Sequence, residues 1–239
     1  MMHDDQRSWM RVAGRLRPKA ETVEYRFAPR GAVESGAVDL GPVPLLVRPV
    51  RLGPLRLVAP IAPARVSVRE ITVREPRLSR LWERFCIDIG VAAERDAAFF
   101  ERRVFQRMKE ERYRVLIVED GDRYAVRAAC VFTTRGTTGY VLELLHDRTV
   151  AGMRAASRLA GIAVRELADA GAAMVHAWSL ASSGSFPMLA RHAFVPMPAR
   201  ALAKVDPRHL VARALDDEAA PFVTERDRWY VSLLDDDRV

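Results

Sequence analysis

The stretch from Tyr113 to Leu180 does most to limit what this chain can fold into. Three apolar, strand-length runs, Tyr113–Glu119, Arg123–Thr133 and Thr138–Leu145, follow one another with short breaks. The first break, Glu119-Asp120-Gly121-Asp122, sets Asp-Gly between two apolar runs, a strong hairpin signal. The second is the loop Thr134-Arg135-Gly136. The pattern then predicts a long helix from about Val150 to Ala170, stopped by Gly171, and a buried strand over Ala172–Leu180. A meander of antiparallel strands running into a strand–helix–strand unit demands an α/β fold, a mixed, mostly antiparallel sheet with helices on both faces.

The flanks fit around this centre. Leu78, Leu81, Trp82, Phe85 and Ile89 recur at the spacing of one helical face, and Ala97, Phe100, Val104 and Met108 repeat it, with Asp96 near the start. After the centre come a short helix, Phe186–His192, and two closing strands, Ala201–Val205 and Trp229–Leu234. Residues 1–75 read differently. Pro42, Pro44, Pro49, Pro54, Pro60 and Pro63 break apolar runs such as Leu45–Val47 and Leu55–Val58, which rules out long helices and confines strands there to edges. Val66–Val73 alternates like a true strand. The division is therefore a Pro-rich, partly β segment over 1–75, packed on a domain over 76–239.

Composition excludes more than it selects. Hydrophobic residues at 49% and charged residues at 29% make disorder a poor reading. No run approaches the roughly 18 apolar residues of a membrane span, and the first residues lack a signal peptide's apolar core, so a cytoplasmic location is expected. Cys86 and Cys130 lie far apart in apolar surroundings, as buried small hydrophobes. The charge of +7, from 38 Lys and Arg against 31 Asp and Glu, suits any polyanion, nucleic acid or a phosphate-rich cofactor alike.

Several motifs carry a resemblance: the hairpin at Asp120-Gly121-Asp122, the strand Tyr140–Leu145, and the loop His146-Asp147-Arg148-Thr149 leading into an alanine-rich helix. The strand Met174–Trp178 and the stretch Leu189-Ala190-Arg191-His192-Ala193-Phe194-Val195-Pro196 complete it. In this order they resemble the GNAT superfamily of acyl-CoA-dependent N-acyltransferases, over roughly Arg77 to Val239. The tail from Trp229 resembles the ending of some GNAT-like proteins from polysaccharide gene clusters. Ser8–Gly14 resembles the chain just after the last helix of a GNAT unit, which makes residues 1–75 a candidate remnant of a first unit in a tandem.

The resemblance implies an acetyl- or other acyl-CoA as co-substrate and an unidentified small-molecule or protein amine as acceptor. Glu143 stands where such enzymes carry the base that deprotonates the amine. The amides near Leu144 and Leu145 would hold the acyl carbonyl. The loop Asp147, Arg148, Ala151, Gly152 and Arg154 would hold the pyrophosphate, since a helix N-terminus offers unpaired N–H groups, small residues admit a phosphate and arginines bind it. Three departures stand out. Ala151 and Met153 occupy places where the family keeps small or glycine residues, Leu189 replaces the usual tyrosine acid, and Ala193 replaces the glycine of a Gly-Phe pair.

Each feature has a plainer reading. Glu143 could be a solvated or salt-bridged residue on the exposed face, Arg148 and Arg154 surface arginines, His146 polar surface, His176 a core or edge residue, Ser182–Ser185 a turn and Asp235–Asp237 a solvated terminus. No hydrolase elbow, Walker loop, dinucleotide fingerprint or zinc spacing is present, and no helix-turn-helix supports nucleic-acid binding. The reading is an acyl-CoA-dependent N-acyltransferase. Its alternatives are a non-catalytic GNAT-like acyl-CoA-binding or protein-interaction module and a nucleic-acid-associated accessory protein; metal and membrane play no part, and a homodimer stays open.

Overall fold

In the computed structural model, residues 10–12, 23–52, 66–121, 125–202, 208–215, 217 and 219–236 are described. The elements are β1 (Met10–Val12), β2 (Val23–Ala28), β3 (Val38–Pro42), β4 (Leu45–Pro49), β5 (Val66–Glu70), α1 (Arg77–Phe85), α2 (Ala97–Arg103) and α3 (Met108–Glu111). The centre follows as β6 (Arg114–Asp120), β7 (Ala125–Arg135), β8 (Thr138–His146), α4 (Val150–Asp169), β9 (Met174–Trp178) and α5 (Phe186–Ala190). Then come β10 (Val195–Pro196), α6 (Ala199–Leu202), β11 (His209–Ala214) and α7 (Ala220–Thr224).

Seven strands form one sheet in the order β10-β4-β9-β8-β7-β6-β5, and four form a second, β1-β2-β11-β3. Within the larger sheet only β8 and β9 run parallel. The crossover between them is α4, as a parallel pair requires. Its ends follow the sequence chemistry: Thr149 Oγ accepts from Gly152 N at 3.0 Å, and Gly171 takes φ +88 past the last turn. Asp96 likewise caps α2 by accepting from Phe99 N at 2.6 Å.

Two cores follow from two faces. α4 lays Ala155, Ala156, Leu159, Ala160 and Ala163 on Leu144, Cys130 and Phe132 of the larger sheet. The opposite face packs α1, α2 and the chain end around Trp229 and Tyr230, with the smaller sheet's Tyr25 and Leu210 beyond. Both cysteines are buried and free, and burial pushes the Cys130 thiol far up. No helix among the described residues is long and apolar enough to cross a membrane.

Several expectations are corrected. β4, flanked by Pro44 and Pro49, is an interior strand, because Leu45 to Arg48 keep their N–H groups and the prolines sit only at its ends. It pairs along all of β9, from Leu45↔Trp178 to Pro49↔Met174, and so takes the place that the expected closing strands would fill. Ala201 and Leu202 are helical, residues 203–205 of that expected strand lie outside the described residues, and Trp229–Leu234 makes a single bridge, Val91↔Trp229, before a 3-10 turn at Leu233–Asp235. The second helix stops at Arg103, with Val104 as its cap, and a 3-10 turn and α3 carry the chain on. Residues of 1–75 contribute β4 and β5 to the larger sheet, and the smaller sheet joins β2 and β3 to β11. Leu55–Val58 and Asp122 lie outside the described residues.

Candidate functional site

β8 and β9 are paired only from Thr138↔Met174 to Val141↔Ala177. Beyond Val141 the two strands part, and among the described residues β8 runs on to His146 with β7 as its one paired strand. A bulge marks the parting: Phe132 faces Val141 and Val131 faces Glu143, so Leu142 has no opposite number. The bulge brings Glu143 round to the face that carries Leu142 and Leu145.

Glu143 is 1% exposed. Ser232 Oγ donates to its Oε2 at 2.9 Å and Arg95 Nε at 3.1 Å, Leu144 N donates to its Oε1 at 3.1 Å, and the Tyr230 hydroxyl donates there too. Arg95 is wholly buried and also donates to Asp235 and to Ala93 O, while Tyr25 donates to Asp235 at 2.9 Å. Rings of Trp82, Phe99 and Tyr230 surround its guanidinium. Burial works against that charge, yet Asp235 and Glu143 outweigh it and hold Arg95 firmly protonated. Burial, then Glu143, pushes the Tyr230 phenol far up, so it keeps its proton as a donor. Of the plainer reading of Glu143, the salt bridge is present and the exposed face is corrected, as is the solvated terminus for Asp235: both are buried because each neutralises one side of Arg95.

Leu144 and Leu145 divide. Asp147 N donates to Arg127 O, and alternation along the strand then turns the Leu145 amide toward β7 and the Leu144 amide toward the parting. The Leu144 amide is the one that meets Glu143. The cleft between these groups has a volume of about 10 Å³ and is lined by Leu142, Glu143, Trp178, Leu189, Tyr230 and Ser232. That is room for about one water.

The N-terminus of α4 is filled by the chain itself. Asp147, 1% exposed, accepts from Thr149 N at 3.1 Å, from the Thr149 hydroxyl and from Arg127 at 2.8 Å. Burial pushes its carboxyl up, but Arg127 and Thr149 prevail and hold it below the usual range. A Cβ on Gly152 would collide with this carboxylate, so the glycine leaves room for Asp147. Arg148 points away from the helix end: it donates to Phe85 O at 2.9 Å, pairs with Asp88 and lies over the Phe85 ring. Ala151 and Arg154 are exposed on the first turn. His146 is buried, with Nδ1 on Asp147 O at 2.7 Å and Nε2 on Gly184 O at 3.0 Å, which corrects its reading as polar surface. His176 stands edge-on to Tyr140, and burial lowers its pKa.

Leu189 is buried in the cleft wall, with no proton to give. Ala193 adopts φ +61, the left-handed conformation that a glycine would take without strain. Sequence reasoning missed Arg95, Tyr230 and Ser232; the apolar run from Trp229 to Leu234 signalled burial there, without naming what the polar groups within it meet.

The cleft has room for about one water, and the Asp147 carboxylate lies against Gly152 in the first turn of α4, where the resemblance would set a pyrophosphate. Comparison with known proteins places the fold all the same. No protein-family model and no curated protein matches the sequence. Among solved structures, a GCN5-related N-acetyltransferase from Sphaerobacter thermophilus superposes with a TM-score of 0.50 at 12% identity, covering 81% of this chain and 60% of that one. A tandem GNAT protein from the clavulanic acid biosynthesis pathway gives 0.51 at 12% identity, covering 82% of this chain and 65% of that one. This chain thus spans less than two thirds of either neighbour's length.

Proposed function

We propose that this chain, which has the GNAT acyltransferase fold, is a non-catalytic unit whose task is binding and support, and that its former acid–base position has become a strut. The observation that carries this reading is the sealed Glu143. Its two oxygens receive four donors, and one of them belongs to a buried arginine. A base must be free to take a proton from its substrate. Glu143 has no such freedom unless Arg95, Tyr230 and Ser232 all let go. The filled helix end and the absent acid at Leu189 agree with this.

The test is thiol release from acetyl-CoA and longer acyl-CoAs, with a broad panel of amines. No release above the rate without protein is expected, and Glu143→Gln should lower the melting temperature. Release that depends on the protein and falls about a hundredfold in Glu143→Gln would overturn the proposal, since a positioned base contributes about that much. It would favour the second reading, an acyl-CoA-dependent N-acyltransferase acting on an unknown amine. One observation supports that reading: β8 and β9 still part at Val141, leaving polar groups along one wall.

A further inference from the structure

The loop that follows β9 lies over the parting of β8 and β9 and contributes Ser185 to the cleft wall. Three of its hydroxyls are turned inward, while Ser182 is exposed. Ser179, Ser183 and Ser185 are buried, with Ser185 Oγ 3.1 Å from Ser179 Oγ and 2.8 Å from Ser183 Oγ. Two side chains from the corner between β8 and α4 hold this loop. His146 Nε2 meets Gly184 O at 3.0 Å. Arg148 crosses Gly184 on its way to α1, where it donates to Phe85 O, stacks on the Phe85 ring and pairs with Asp88. The crossing is close enough that a Cβ on Gly184 would lie 2.6 Å from Arg148 Nη1 and 3.1 Å from its Cζ. A side chain at position 184 would therefore push the arginine's guanidinium aside.

We infer that Arg148 is a latch that holds the loop Leu180–Ser185 shut over the cleft, with His146 as the second pin. Arg148 binds the end of α1 from the α4 corner and in doing so lies across Gly184 of the loop. The contact on its far side is an exposed one: Asp88 is 69% exposed in its side chain. A surface pair of this kind is worth little by itself and is weakened by salt. The exposed pair with Asp88 is the outermost of the contacts that hold Arg148 across Gly184, ahead of the bond to Phe85 O and the stacking on its ring. Release of the loop uncovers the serine hydroxyls and the wall formed by Glu143, Tyr230 and Ser232. This inference does not rest on the role given to Glu143, and its test uses no acyl-CoA, so it fails or stands separately.

Hydrogen exchange at the amides of Ser183, Ser185 and Phe186 reports the opening. In Arg148→Ala these amides should exchange about tenfold faster, as a local opening made easier requires, while amides of β7 and of the middle of α4 keep their wild-type rates. Asp88→Asn should give a smaller rise, since the bond to Phe85 O and the stacking remain. Gly184→Ala should also speed exchange in the wild-type background, because its methyl displaces the arginine. In the Arg148→Ala background it should add nothing. That non-additivity is what a direct clash predicts. A folded Arg148→Ala protein with unchanged loop exchange overturns the inference. So does a Gly184→Ala effect of equal size in both backgrounds.

Discussion

The two faces of the seven-stranded sheet are buried by different means. Against α4 the interface is made of small and aliphatic side chains, with Ala156, Ala160 and Ala163 wholly buried. On the other face, at the same strand β8, the interior holds an arginine between two carboxylates, ringed by aromatic side chains. The α4 face depends on volume and tolerates any residue that fills the same space. The other face depends on identity, because each charge there is harmless only while its partners are present. Glu143 belongs to this second kind of interior, where changing one residue strands the others.

The sharpest test of that contrast is Arg95→Met. It removes the cation and leaves Glu143 and Asp235 buried together, and a broken buried pair of this type costs about 3–5 kcal/mol. Denaturant unfolding would measure it; a loss below about 1 kcal/mol would mean that water or another cation takes the arginine's place and would break the comparison. On the α4 face, Ala160→Leu adds volume where there is none, and overpacking should cost about 1–3 kcal/mol. If that variant lost more than Arg95→Met, the α4 face would be the more exacting of the two.

A smaller effect, of opposite sign, is expected beside α5. Ala193 is held at φ +61, and left-handed backbone costs an ordinary residue about 1–2 kcal/mol. Glycine's extra freedom in the unfolded chain offsets part of this, so Ala193→Gly should raise stability by less than about 1 kcal/mol. The smallest effect is expected in the surface network, where hydrogen bonds from Arg77 foremost bring the Glu75 carboxyl down to about 2. A carboxyl depressed in the folded state contributes stability above its unfolded value of about 4.3, and that contribution is lost as pH falls through the folded value. Melting temperatures of wild type and Glu75→Gln should therefore differ at pH 7 and converge between about pH 4 and pH 2.

Much of the larger sheet was legible because its signals are local. The runs that became β6, β7, β8 and β9 alternate or stay apolar within a few residues, and α4 is bounded by Thr149 and Gly171. The position of β4 was not legible: proline content argued for an edge, and nothing in Leu45–Pro49 names Met174–Trp178 as its partner. The site shows the same divide. Glu143 could be picked out as a carboxylate amid leucines, and Leu189 and Ala193 as departures from a pattern. Its neutralisation by Arg95, which also meets Asp235 across most of the chain, has no periodicity to reveal it. At the helix end the sequence is ambiguous for a related reason, since the same small residues that would admit a phosphate also admit Asp147.

The exchange of strands between the two ends of the chain has a consequence for how the protein is made. Val23 lies opposite Ala214 in the smaller sheet, and Leu45 opposite Trp178 in the larger. During synthesis, β2, β3 and β4 must wait with unpaired edges until β9 and then β11 leave the ribosome. Pairings this distant in sequence form slowly, and waiting strands are the ones that find wrong partners. The prolines that flank β4 then protect it in a second way, as breaks that keep a nascent apolar strand too short to aggregate before β9 arrives to claim it.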